Sequence, residues 1–208
     1  IEDSAQAHGG KDNFGNNIGK YSDLSCYSFY PGKNLGCYGD GGMITTNNKK
    51  YYQKLIKLRN LGQIRKNIHD EIGVNSRLDS IQASLLNLKL KSLKKFNLKR
   101  KKIANFFKKN INNDKIDIIN YGKNAVYHQY VILVKNRRNL IKHLEKNLIQ
   151  YGIHYPNPIN KLRCFSKIFK NKKFTNSEYI ASRCLSLPID PILKKSEINK
   201  VVKVLNSF

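Results

Sequence analysis

The chain has 208 residues, 40% of them hydrophobic, with 39 Lys and Arg against 14 Asp and Glu and a net charge of +25. That length suits one large domain or two small ones, and no apolar run approaches the roughly 20 residues of a membrane span. The charge alone points to nucleic acid or an anionic surface, yet Lys outnumbers Arg 31 to 8 and Asn occurs 26 times, the Lys, Asn and Ile bias of an AT-rich coding sequence.

Ile1–Asp3 reads as the end of a strand, and Leu24–Tyr30, alternating and rich in Cys, Tyr and Phe, as a buried strand. Pro31–Gly42 is a glycine-rich loop and Met43–Thr46 a short strand. Asn48 suits the cap of a helix running to about Asn60, with Gly62 ending it. Leu78, Ile81, Leu85 and Leu88 recur at helical spacing, so a helix starts near Asn75 or Ser76 and buries that face. Lys89–Lys109 holds ten basic residues and no acid, interrupted by Phe96, Ile103, Phe106 and Phe107, which fits one solvated helix face with an apolar stripe. A basic nucleic-acid-binding module built on that run is the competing reading, against which the scarcity of Arg counts.

Composition shifts after about residue 95. Ala125–Val134 then reads as a strand, Arg137–Gln150 as a helix, Gly152–Tyr155 as a strand, and Phe174–Arg183 and Ser196–Asn206 as helices, the last capped by Ser196. Strands alternating with helices imply an α/β layered fold. The cysteines, Cys26, Cys37, Cys164 and Cys184, form no C-x-x-C pair and match no zinc spacing. They read as buried free thiols in a reducing cytoplasm, and no metal site is expected.

The first forty residues gather chemically useful groups. Asp3 ends a strand, Gln6 follows it, the Ser28 hydroxyl sits in the next strand, and Lys33 lies in a loop crowded by Gly36, Gly39, Gly41 and Gly42. Pyridoxal phosphate calls for these parts: a lysine for a Schiff base, an acid for the pyridine nitrogen, and hydroxyls and close backbone for the phosphate. On residues alone, a solvated loop lysine fits Lys33 as well.

Ordered blocks along the whole chain resemble one family. Glu2-Asp3-Ser4-Ala5-Gln6-Ala7-His8-Gly9, Ser28-Phe29-Tyr30-Pro31-Gly32-Lys33-Asn34-Leu35-Gly36 and Gly39-Asp40-Gly41-Gly42 resemble the early motifs of the DegT/DnrJ/EryC1/StrS aminotransferases. Leu58-Arg59-Asn60-Leu61-Gly62-Gln63, Asn75-Ser76-Arg77-Leu78-Asp79, Ile153-His154-Tyr155-Pro156 and Leu185-Ser186-Leu187-Pro188 resemble later ones. The resemblance implies a pyridoxal phosphate-dependent transferase fold of type I, aspartate aminotransferase-like and α/β. It divides the chain into residues 1–95, the second part of a large cofactor-binding domain, and residues 96–208, a small carboxyl-terminal α/β domain.

It also implies roles. Asp3 pairs with the pyridine nitrogen, Gln6 bonds the phenolic oxygen, Ser28 holds the phosphate and Lys33 is the catalytic lysine. Asn75 reaches the phosphate of a neighbouring subunit's cofactor, or instead merely caps a helix. Arg77 meets the phosphates of a sugar nucleotide, or instead pairs with Asp79 or Asp70. Tyr155 lines the sugar pocket or belongs to the core. The implied protein is a cytoplasmic homodimer, engaging neither nucleic acid nor membrane. It transfers an amino group, from glutamate by family habit, to a nucleotide-linked keto-sugar for a surface polysaccharide. Lys33 in place of His argues against the dehydrase branch.

Family members carry a further segment ahead of the Glu-Asp block. A chain without it is expected to be unstable or to aggregate and to hold little cofactor, and an inactive fragment or pseudoenzyme with a structural or regulatory role is the alternative. Gly32, where the family usually has a small hydroxyl residue, and Asn160, where it often has His, depart from the pattern.

Overall fold

In the computed structural model, which describes residues 1–208, the short strand Glu2–Asp3 (β1) runs parallel to Ser25–Ser28 (β2), with Asp3 opposite Cys26. Gly42–Thr45 (β3) pairs antiparallel on the other side of β2, giving the sheet order β1-β2-β3. Helix Lys49–Leu58 (α1) follows, and its start is set by Asn48, whose Oδ1 accepts the N–H groups of Lys50 and Tyr51 at 2.9 and 3.3 Å. The chain leaves α1 through Leu61 and Gly62, both at positive φ. It then forms the hairpin Gln63–Arg65 (β4) and Ile68–His69 (β5). That hairpin has no apolar alternation and is not evident from sequence. Its turn is made possible by Asn67, at φ 64°, a residue that tolerates left-handed backbone.

The long helix Ser80–Asn110 (α2) begins later than the Asn75 or Ser76 start that the spacing suggests. The reason is local. The N–H groups of Val74 and Ser76 donate to the carbonyls of Leu58 and Arg59 at 2.8 Å each, and Asn75 bridges to Asn60. Residues 74–76 thus satisfy the carbonyls at the end of α1 rather than opening α2. The buried face of α2 also differs from the expected one. Ile81 and Leu88 are exposed, whereas Leu86 and Leu93 are buried with Phe29, Leu35 and Cys37. Leu78 and Tyr27 pack against that cluster.

The chain divides into two compact units. The first comprises Ile1–Leu98 and Gly122–His128. Its uncovered apolar side chains include Met43 and Ile44 of β3, Tyr52 of α1, Val74, Ile81 and Leu88, and α1 buries no residue.

The second unit comprises Lys99–Tyr121 and Gln129–Phe208. Its antiparallel sheet has Ile116–Ile118 (β6), Tyr130–Val134 (β7) and Cys184–Leu187 (β8) in that order. Tyr130, Ile132 and Val134 are buried, as the period of two requires. The strand expected from Ala125 starts only at Tyr130, because residues 122–128 belong to the first unit. Helices Arg137–Lys146 (α3), Thr175–Arg183 (α4) and Lys195–Asn206 (α5) complete it. Leu140 and Leu144 of α3 and Val201, Val202, Val204 and Leu205 of α5 are buried. The N-terminus of α5 is held by Glu197, which accepts the Lys194 N–H at 2.7 Å, rather than by Ser196. The strand expected at Gly152–Tyr155 reduces to one bridge, Gly152 to Ser186. All four cysteines are free, but Cys164 is exposed and Cys26 only half-buried, so the expectation of buried thiols holds for Cys37 and Cys184. No helix is long and apolar enough to cross a membrane.

Candidate active site

Because β1 and β2 are parallel, their carboxyl ends emerge on one edge, where open α/β sheets bind ligands. Asp3 is the last residue of β1 and Ser28 the last of β2. Asp3 Oδ1 accepts the Ala5 N–H at 3.0 Å, an Asx-type turn that anchors the carboxylate where the strand ends. The turn continues through Ala7 N–H to Ser4 O and Gly10 N–H to Ala7 O, at 3.0 and 2.8 Å. Ser28 Oγ accepts the Tyr30 N–H at 3.3 Å. The Lys33 N–H closes the next turn onto Tyr30 O at 2.9 Å. Gly36 ends that turn against the Pro31 and Tyr30 carbonyls, leaving no room for a Cβ.

The ion pairs of the chain join Lys54 to Glu71, Lys57 to Asp70 and Lys161 to Glu178. Neither Asp3 nor Lys33 takes part in one, and the Gln6 side chain makes no hydrogen bond within the chain. Asp3 at the end of β1 and Ser28 at the end of β2 thus share that sheet edge, and the loop that follows β2 carries Lys33.

His8 shows that the turn after β1 and the Lys33 loop are adjacent. Its imidazole is 3% exposed and lies against the rings of Tyr27 and Phe29, at centroid distances of 5.5 and 5.9 Å. Burial pushes its pKa below the ordinary 6.5, the nearby Lys33 charge pushes it the same way, and the Ser28 main chain opposes them. His8 is thus held neutral beside the lysine.

Asn75 and Arg77 form a unit of their own. Arg77 Nε donates to Asn75 Oδ1 at 2.9 Å. The ion pair with Asp70 is not made, since Asp70 accepts from Lys57 Nζ at 2.6 Å, and none forms with Asp79. The capping role of Asn75 is likewise not realised, since α2 starts at Ser80. No hydrogen bond joins this pair to Asp3, Ser28 or Lys33 within the chain. Tyr155, in the second unit, is exposed rather than core. Its ring meets that of His154 edge-on at 5.6 Å, and His154 Nδ1 lies 2.9 Å from Ser186 Oγ.

Sequence patterning missed three polar residues on the core-facing side of α2. Gln82 Oε1 accepts the Tyr38 N–H at 2.8 Å, Lys89 Nζ donates to Gly36 O at 2.5 Å, and Asn97 contacts both Asn34 and His8. Their signal lies in the numbering: 82, 86, 89, 93 and 97 share one helical face, with Leu86 and Leu93 as its apolar members.

The α/β chain has the type I fold of the pyridoxal phosphate-dependent transferases, as its likeness to solved structures shows. It superimposes on DesV of S. venezuelae, solved in complex with a ketimine intermediate, with a TM-score of 0.94 and 32% identity over 98% of this chain and 56% of that one. A DegT/DnrJ/EryC1/StrS aminotransferase from Brucella abortus matches with a TM-score of 0.92 and 32% identity over 100% of this chain and 56% of that one. The profile of the DegT/DnrJ/EryC1/StrS aminotransferase family matches residues 1–206, and the chain belongs to that family. It is 41% identical to the dTDP-3-amino-3,6-dideoxy-alpha-D-galactopyranose transaminase of Aneurinibacillus thermoaerophilus, over 100% of this chain and 57% of that protein. With the UDP-N-acetyl-3-dehydro-alpha-D-glucosamine 3-aminotransferase of Acidithiobacillus ferrooxidans it shares 34% identity over 99% of this chain and 56% of that protein. The chain thus spans somewhat over half the length of the curated relatives it matches.

Proposed function

We propose that this chain is the chemistry-bearing part of a pyridoxal phosphate-dependent aminotransferase that delivers an amino group to a nucleotide-linked keto-sugar. One observation carries the reading: Asp3 and the Lys33 loop, both without an ion-pair partner, share the carboxyl edge of a parallel strand pair.

The donor set suits the cofactor. Asp3 offers a carboxylate to a pyridinium N–H, Gln6 an amide to the phenolic oxygen, Ser28 a hydroxyl to the phosphate, and Lys33 an amine that holds the carbonyl carbon. When bound, pyridoxal phosphate supplies an electron sink that makes a proton on the carbon beside an amino group removable. The chain's own work is positional and acid–base. Asp3 would set its carboxylate against the ring nitrogen and so favour the protonated ring. Once the donor's amine had displaced it from the carbonyl carbon, the freed Lys33 amine would serve as the base for the proton on the donor's carbon. His8, held neutral, places no second positive charge beside that amine.

Asn75 and Arg77 supply an amide and a guanidinium for phosphate oxygens, Asn75 toward the cofactor of a neighbouring subunit and Arg77 toward the sugar nucleotide. Tyr155 supplies an exposed ring and hydroxyl for the sugar. The uncovered apolar side chains of the first unit favour a homodimer. Glutamate as donor, a cytoplasmic site of action and a product destined for a surface polysaccharide complete the reading. The competing reading, an inactive relative with a regulatory role, is weakened by the retention of Asp3, Ser28 and Lys33.

The test is selectivity. The chain is incubated with pyridoxal phosphate, reduced with borohydride and digested, and the labelled peptides are mapped. Label concentrated on Lys33 among the 31 lysines, and abolished by Lys33→Ala, supports the proposal. Label spread over surface lysines, or centred elsewhere, overturns it.

A further inference from the structure

We infer that Asn97 is the positioning residue of this site: one side chain on α2 that holds the Asp3 turn and the Lys33 loop in a fixed relation. Its Nδ2 donates to His8 O at 2.8 Å, in the turn that Asp3 begins. Its Oδ1 accepts from Asn34 Nδ2 at 2.9 Å, in the residue that follows Lys33. No other side chain on that face of α2 bonds both segments. Gln82 and Lys89 reach only the far part of the glycine loop, at Tyr38 and Gly36.

The surroundings are built for this contact. Gly9, at φ +72°, lies so close that a Cβ there would come within 3.1 Å of Asn97 Nδ2, and a left-handed backbone favours glycine in any case. Asn34 Nδ2 also donates to Val126 O at 3.0 Å, so its own orientation is fixed from a second side. Leu93, one turn before Asn97, is buried in the core cluster with Phe29 and Leu35, which anchors this stretch of the helix beneath the loop.

The chemistry explains why an amide serves here. The two partners are a carbonyl oxygen and an N–H donor, so the bridging group must donate and accept at once. Asn does both. Asp would accept from Asn34 but offer His8 O no hydrogen. Leu, of nearly the same shape, would do neither. A rigid helix is a better reference frame for a catalytic pair than the loops that carry it, and Asn97 transmits that frame to both loops.

This inference rests on the reading of Asp3 and Lys33 as a cofactor pair, and the experiment separates the two. Hydrogen exchange is followed by mass spectrometry on the full chain without cofactor, in the wild type, Asn97→Leu and Asn97→Asp. Asn97→Leu is expected to speed exchange about tenfold in both the Ala7–Gly10 turn and the Lys33–Cys37 loop, while β7 and β8 of the second unit keep their protection. Asn97→Asp is expected to speed the turn alone, which also answers the question if the Leu variant does not fold. Unchanged exchange in both segments, or an equal rise along the whole chain, overturns the positioning role.

Borohydride capture of pyridoxal phosphate then reports on the consequence. A wild type labelled at Lys33 with Asn97→Leu labelled about tenfold less at that residue, and equally at lysines of the second unit, supports it. Equal labelling of Lys33 in both proteins overturns it. A wild type labelled without selectivity defeats the cofactor reading, and the exchange data still decide whether Asn97 joins the two segments.

Discussion

Arg77 donates through Nε to Asn75 Oδ1 at 2.9 Å, so two residues singled out for separate ligand contacts act as one polar unit. With its oxygen occupied, Asn75 presents its amide N–H groups, and Arg77 keeps its terminal nitrogens for an anion. On the proposed roles, Arg77→Ala is expected to weaken nucleotide-sugar binding about tenfold, Asn75→Ala less because it acts there only by holding Arg77, and the double variant by less than the product, with a coupling of about 1 kcal/mol. Titration calorimetry on the four proteins measures this, and strict additivity would show that the pair is not a unit.

The buried imidazole of His8 gives a pH dependence with a definite sign. Its folded-state pKa lies below the ordinary 6.5, first through burial and then through Lys33. Above 6.5 both folded and unfolded chains hold it neutral, and its full contribution to stability is present. As the pH falls through 6.5, the unfolded chain takes up a proton that the folded chain refuses, so stability drops. Urea midpoints should fall between about pH 8 and about pH 5, and His8→Phe should reduce that fall. An identical acid limb in the variant would show that His8 is not responsible.

Gly62 sits at φ 72°, and a Cβ there would overlap the carbonyl of Glu71. Gly62→Ala combines left-handed backbone with a clash against the strand return, so a loss of more than about 1 kcal/mol is expected. The Asn75–Arg77 segment leans on the same region through the Asn60 bridge. Anion affinity is therefore expected to fall together with the denaturation midpoint. Retention of both would remove this turn from the support of the site.

In the second unit, Phe107 is fully buried and meets Tyr130 edge-on at a centroid distance of 5.3 Å. Phe107→Ala is expected to cost about 3–5 kcal/mol of stability. Exchange protection in the Ala7–Gly10 turn of the first unit should respond far less than in β7. Equal loss in both would show that the two units unfold as one.

The motifs carried much of this protein. Asn48 announced α1, the Cys26–Phe29 alternation announced β2, and the glycine crowding around Lys33 announced a backbone that must pack closely. These are local properties: capping, pleat and left-handed or crowded turns act within a few residues, so the residues themselves encode them. The start of α2 was not legible, because Val74 and Ser76 spend their N–H groups on the carbonyls of Leu58 and Arg59, across a hairpin with no pattern of its own. The buried face of α2 was misjudged for a related reason. Three of its members, Gln82, Lys89 and Asn97, are polar, and what they bind is loop backbone far away in sequence. The sequence determined which groups exist and which short segments hold them. Only the tertiary structure decided that α2 turns this partly polar face inward, because the loop groups that Gln82, Lys89 and Asn97 bond lie far away in sequence.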